Sequence, residues 1–89
     1  MALKIEFEAV ARRSLDKIHP TQRDRILRFL RDRVAAADDP RALGEALQGK
    51  RFKNQWKYRV GDYRIIARIV DGMMIVTVVD VGLRSAVYR

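Results

Sequence analysis

Residues 3–7 alternate apolar and polar positions, with Leu3, Ile5 and Phe7 set against Lys4 and Glu6. That period of two predicts a short strand. From 8 to 18 the spacing becomes helical, placing Val10, Ala11, Ser14, Leu15 and Ile18 near one side. His19-Pro20-Thr21 interrupts the pattern. Proline suits the first turn of a new helix, where its missing N–H would have had no partner. The second helix is expected to run to about residue 37, with Ile26, Leu27, Leu30 and Val34 as its buried stripe. Arg25, Arg28 and Asp32 fall on the solvated side, and Arg31 and Arg33 flank the stripe. Asp38-Asp39-Pro40 ends it. Residues 41–55 are less regular. Leu43 and Leu47 read as anchors of one helical turn, and Gly49 opens a basic stretch.

Three β-rich runs follow, at 56–60, 63–70 and 73–81. Gly61-Asp62 fits a type II′ turn with glycine first, and Asp71-Gly72 fits a two-residue type I′ turn. The order is βααβββ. It predicts a single α+β domain over 1–89, an antiparallel sheet with two N-terminal helices packed on one face.

The turns fix an expected register. Around Gly61-Asp62, Val60 pairs with Tyr63, Arg59 with Arg64, and Lys57 with Ile66. Around Asp71-Gly72, Val70 pairs with Met73, Arg68 with Ile75, Ile66 with Thr77, and Arg64 with Val79. Side chains alternate between faces. One face then carries Trp56, Tyr58, Val60, Tyr63, Ile65, Ala67, Ile69, Met74, Val76 and Val78, and is the core face. The other carries Lys57, Arg59, Arg64 and Arg68, with Ile66, Ile75, Thr77 and Val79 between them. Arg59 and Arg64 are expected directly opposite each other, Cβ atoms ~5 Å apart, an arrangement that is repulsive by itself. An anion bound between them relieves the repulsion.

Charge sharpens this picture. The 89 residues hold 19 Lys plus Arg against 11 Asp plus Glu, a net +8, and residues 50–68 contain seven basic residues and one acid, Asp62. Such a field favours polyanions through steering and counterion release. Nucleic acid is the leading target class, with an acidic protein partner as the alternative. The chain lacks cysteine, which removes disulfides and thiolate metal ligands and suits a reducing cytoplasm. The opening Met1-Ala2-Leu3-Lys4-Ile5-Glu6 does not read as a signal peptide. No run approaches the ~18 apolar residues of a membrane span.

The ordered set Trp56-Lys57-Tyr58-Arg59-Val60-Gly61-Asp62-Tyr63-Arg64-Ile65-Ile66, then Asp80-Val81-Gly82-Leu83-Arg84 and Val87-Tyr88, resembles the RelE/ParE toxin superfamily. The N-terminal strand, the helix pair joined at Pro20, and Leu47-Gln48-Gly49 extend the resemblance over nearly the whole chain. It implies a RelE-type toxin of a type II toxin–antitoxin system that cleaves mRNA in the ribosomal (30S) A site and inhibits translation. The implied reaction is metal-independent attack of the RNA 2′-OH on the adjacent phosphate, leaving a 2′,3′-cyclic phosphate and a 5′-OH. No cofactor is implied. The implied catalytic residues are Lys57, Arg59, Arg64, Arg84 and Tyr88, and Lys50, Arg51, Lys53 and Arg68 are expected to bind RNA. Lys57 is the candidate base, with neighbouring cations easing its deprotonation. Arg59 and Arg64 would fork onto the scissile phosphate. Arg84 would stabilise charge or assist the leaving group. Tyr88 would stack on a base or orient the 2′-OH. The implied partners are a cognate RelB-like antitoxin, in an oligomeric complex, and ribosome-bound mRNA. No membrane partner is implied, and the expected location is the cytoplasm.

The chain departs from relatives in places. Leu83 precedes Arg84 where many relatives carry His, Arg59 stands where some carry Lys, and Ala67 where Tyr is frequent. Some RelE-type nucleases use a Glu/His pair, and no such pair is read here. His19 is read as a surface or capping residue, Met73 and Met74 as strand packing, Trp56 as a core anchor, and Asp16, Asp24 and Asp32 as solvated helix acids. The competing functions are the ParE branch, which poisons DNA gyrase, and an inactive antitoxin-binding homologue.

Overall fold

The computed structural model describes residues 3–70 and 72–83. β1 (Lys4–Phe7) leads into α1 (Ala9–Asp16), then α2 (Pro20–Phe29), which continues through one π-helical turn, Leu30–Val34. A 3-10 turn at Pro40–Leu43 precedes the two-residue strand β2 (Glu45–Ala46). β3 (Gln55–Val60), β4 (Tyr63–Ile69) and β5 (Ile75–Leu83) complete the chain's described part. The five strands form one sheet in the order β1-β5-β4-β3-β2.

The class is α+β, with both helices on one face, as the pattern predicts. The expectation of a wholly antiparallel sheet is corrected: β1 lies parallel to β5, with Lys4 beside Ile75 and Phe7 beside Val78. The two intervening helices make this possible, because they carry the chain back to the starting end before the meander begins. Helix entry follows the sequence. Pro20 opens α2, and His19 caps it, its Nδ1 accepting the Thr21 N–H at 3.2 Å. The α-helix stops at Phe29 rather than near residue 37, since the next turn widens to π geometry.

Ala11, Leu15, Ile18, Ile26, Leu30 and Val34 from the helices pack on Tyr58, Val60, Ile65, Ala67, Ile69, Val76, Val78 and Val81. Leu27 stays partly outside this stripe. Trp56 and Tyr63 pack against the core while half-buried. Met74, placed in the core from its parity, is 47% exposed, and Met73 is 53% exposed. Both lie in the β4–β5 connection, which spans 70–74 rather than two residues. A tighter turn closes within it, Met73 N–H donating to the Val70 carbonyl at 3.1 Å.

That longer loop moves the β4–β5 register. Arg68 pairs with Thr77 rather than Ile75, and Ala67 with Val78. A bulge between Ile66 and Ala67 then skips Val79, so Ile66 pairs with Asp80 and Arg64 with Gly82, not with Thr77 and Val79. The bulge switches the strand's parity and turns Val81 into the core. The β3–β4 hairpin agrees with the expected register throughout: Val60 with Tyr63, Arg59 with Arg64, and Lys57 with Ile66. Gly61, at φ +59°, supplies the positive φ that a type II′ turn needs in its first position.

Candidate functional site

The β3–β4 hairpin sets the site. Its outer face, away from the helices, carries Lys57 and Arg59 on one strand and Arg64 on the next. Each has a defined cross-strand neighbour. One row runs Glu45, Lys57, Ile66 and Asp80; the next runs Arg59, Arg64 and Gly82. Gly82, paired with Arg64, has no side chain to lay over it. A cavity of about 270 Å³ opens here, lined by Leu43, Glu45, Lys57, Tyr58, Arg59 and Arg64.

Arg64 is the unusual member. It is only 9% exposed, and its buried Nη1 has no hydrogen-bond partner. A buried donor normally has a partner, because leaving it unmade costs ~1–3 kcal/mol, and more for a charged group. Arg59, directly opposite, is exposed and of like charge. Of the three cations on this face only Arg59 is exposed; Arg64 forms the floor, with Lys57 half-buried. Arg64 lines this cavity, and a guanidinium with one donor left unpartnered suits an anion with several acceptor oxygens.

Glu45 was absent from the expected set. Its carboxylate sits 3.4 Å from Lys57 Nζ across the β2–β3 pair. Two features bring it there. Gly44 packs so tightly that a Cβ on it would stand 2.5 Å from the Lys57 carbonyl oxygen and 2.9 Å from the Tyr58 ring. The buried Tyr58 hydroxyl donates to the Pro40 carbonyl at 2.7 Å, tying the 3-10 turn to β3. The Tyr58 ring also meets Phe29 edge-on, centroids 5.7 Å apart. Burial, reinforced by the Asp39 charge and opposed by Arg41, pushes the Tyr58 phenol up to about 12. It is a structural tie and not a proton carrier. One signal for Glu45 was present in the sequence: it is the single acid between 41 and 59, amid six basic residues.

The structure brings together Lys57, Arg59 and Arg64 and leaves other expected residues apart. Lys50, Arg51 and Lys53 are exposed around a 3-10 turn, Lys50–Phe52, and none lines the cavity. The Arg51 guanidinium lies over the Phe52 ring at 4.9 Å. Arg68 donates to the Glu8 carboxylate at 2.8 Å, at the far end of the sheet. Arg84 and Tyr88 lie outside the described residues. β5 ends at Leu83, paired with Tyr63, so the chain arrives at the sheet end that carries Arg59 and Arg64. Among the described residues no group of three or more His, Asp or Glu could hold a metal ion, and no helix is long and apolar enough to cross a membrane.

Comparison with known proteins places this fold. The family model for the ParE toxin of type II toxin–antitoxin systems, parDE, matches residues 5–88. No curated protein sequence matches the chain. Among solved structures, a chain of the RelBE2 toxin–antitoxin complex from Mycobacterium tuberculosis superposes with a TM-score of 0.83 at 25% identity, covering 96% of this chain and 94% of that one. A double mutant of E. coli toxin RelE in the free state gives a TM-score of 0.74 at 24% identity, with 97% and 88% covered. The archaeal RelE–RelB complex from Pyrococcus horikoshii gives 0.74 at 20%, with 97% and 99% covered. For these last two the likeness is one of fold. The chain belongs to the ParE toxin family of type II toxin–antitoxin systems, within the RelE/ParE superfamily.

Proposed function

We propose that this toxin is an endoribonuclease that cuts mRNA in the ribosomal A site, acting as a single domain in the cytoplasm. The observation that carries the reading is the unpartnered Arg64 Nη1 on the floor of a cationic cavity. A scissile phosphate there accepts from Arg64 and from Arg59 above it, and both cations hold the charge of the phosphorane. Glu45 and Lys57 supply opposite halves of proton transfer. The carboxylate takes the 2′-OH proton, and the 2′-oxygen attacks phosphorus. The P–O5′ bond breaks, and the leaving oxygen takes a proton from the Lys57 ammonium. The products are a 2′,3′-cyclic phosphate and a 5′-OH. In this scheme Lys57 is the acid rather than the expected base, and Glu45 is the base. Arg84 and Tyr88, following Leu83, complete the proposed catalytic set. Lys50, Arg51, Lys53 and Arg68 remain candidate contacts to RNA further from the reacting atoms.

The partner in the cell is an antitoxin. Two of the similar structures are toxin–antitoxin complexes. β1 is an edge strand, beside which Leu3, Ile5, Phe7, Leu27, Leu30 and Ala35 line an apolar groove of about 380 Å³. An open strand edge beside an apolar groove suits a segment that folds as it binds.

A second reading rests on the family model, whose description is of ParE toxins. In it the chain poisons DNA gyrase and cuts no RNA. Primer extension on a ribosome-bound message and a gyrase supercoiling assay, run on the same preparation, separate the two. Cleavage with unaffected gyrase supports the nuclease, and intact message with inhibited gyrase supports the second reading.

A further inference from the structure

A second basic groove lies on the helix side of the β3–β4 turn. It has a volume of about 380 Å³ and is lined by Arg25, Arg28, Phe29, Asp32, Arg33, Arg59, Val60 and Gly61. Arg59 belongs to both this groove and the cleavage cavity. Arg25 reaches across from α2 to the turn itself, where a Cβ on Gly61 would stand 2.9 Å from its Nη1. Among the described residues none of Arg25, Arg28, Arg33 and Arg59 makes a hydrogen bond or an ion pair. The one acid in the groove, Asp32, is occupied by Arg31 outside it, through bonds of 2.8 and 3.2 Å. That contact, with a smaller contribution from the nearby Arg28 charge, holds the Asp32 carboxyl below its ordinary value. The groove wall includes Asp32 and Arg33 from the π-turn. Such single π-turns are frequent at functional sites. Phe29 and Val60 add an apolar strip between the cations.

We infer that this groove binds the backbone phosphates of single-stranded RNA, continuing the path of the strand held in the cleavage cavity across the Gly61 turn. The inference deepens the RNA reading of the cavity and rests on it. Arginines that make no hydrogen bond or ion pair, set around an apolar strip, match a chain that alternates phosphates with flat bases. An acidic peptide matches the charge alone. Arg59 is the joint between the two sites, so a strand leaving the scissile phosphate meets Arg25, Arg28 and Arg33 next.

The test is equilibrium binding by the full chain, read as fluorescence anisotropy against salt. The probes are 2′-O-methyl RNAs of about four and about twelve nucleotides, which cannot be cut. The wild type is expected to bind the longer RNA more tightly. In R25A/R28A/R33A that advantage disappears, and the slope of log K against log salt becomes shallower by about 2, since each neutralised phosphate contributes ~0.7 on a single strand. R25K/R28K/R33K restores the slope, which excludes misfolding as the cause. An alanine variant that keeps both the length dependence and the slope overturns the inference. So does a glutamate peptide of equal length that binds the wild type more tightly than RNA and loses its affinity in the alanine variant, since the groove then serves an acidic protein. Vacant ribosomes separate the sources: a loss of ribosome binding assigns the groove to ribosomal RNA, and its retention assigns it to the message. If the wild type leaves ribosome-bound mRNA uncut while the alanine variant still loses RNA binding, the cleavage reading fails and the groove stands.

Discussion

Replacing Arg64 by methionine should make the protein more stable and the toxin inactive. Arg64 is nine-tenths buried, its Nη1 has no partner, and it faces Arg59 across the hairpin. An unmade bond from a buried donor costs ~1–3 kcal/mol. Directly opposed like charges cost up to about 1 kcal/mol more. Methionine keeps the length and flexibility of the stem and removes both penalties, while burying apolar surface beside Ile66. Replacement of buried charges by well-packed apolar groups is commonly neutral to stabilising by ~1–4 kcal/mol. We expect a net gain of ~1–3 kcal/mol, which for a domain of this size raises Tm by roughly 5–15 °C. Cleavage should fall by roughly a hundredfold or more, the usual consequence of losing one group aimed at transition-state charge. The assay is thermal melting by circular dichroism with and without sulfate, beside cleavage of a ribosome-bound message. Sulfate standing in for phosphate should raise the wild-type Tm well beyond its effect on Arg64→Met, since only the wild type offers the vacant donor. A lower Tm for Arg64→Met, or equal sulfate responses, would refute the argument that Arg64 is held unsatisfied for an anion.

Three further outcomes follow from the same geometry. Glu45→Gln should lower cleavage by ~10²–10⁴-fold, the usual range for a general base; its exposed side chain should leave the unfolding free energy within about 0.5 kcal/mol of wild type. Gly44→Ala places a Cβ against the Lys57 carbonyl and the Tyr58 ring, so denaturant unfolding should show a loss of ~1–3 kcal/mol. The Tyr58 phenol is raised from near 10 to about 12, so its contribution is fully present below pH 10 and is lost as pH rises to 12. At ~1.4 kcal/mol per pKa unit the wild type should lose about 2 kcal/mol across that window. Tyr58→Phe should be less stable at neutral pH and show a flatter alkaline limb.

The parts of the fold legible in the sequence are those governed by local chemistry. His19-Pro20 marks a helix start because proline and a capping side chain satisfy the same orphan donors, and Gly61-Asp62 fixes a register because few residues accept the φ that the turn demands. That register placed Lys57, Arg59 and Arg64 on one face, and the structure agrees. Asp71-Gly72 carries an equally strong local signal, and Met73 N–H does bond to the Val70 carbonyl, yet the ladder between β4 and β5 begins only at Ile69 and Val76, two residues further along β5 than the turn alone predicts. Parity along β5 then failed at the bulge, a tertiary device with no period of its own. Glu45 was hidden for a similar reason. A two-residue strand leaves no alternation to read, and its place opposite Lys57 depends on the close approach allowed at Gly44 and on the Tyr58–Pro40 tie.

The central claim is that the cavity floored by Arg64 cuts RNA. Primer extension on a message held in ribosomes, with purified wild type and Arg64→Ala side by side, tests it most directly. Discrete stops at A-site codons are expected with the wild type, with fragments ending in a 2′,3′-cyclic phosphate, and loss of those stops with Arg64→Ala. Full-length message with the wild type, under conditions where its expression arrests growth, would contradict the account.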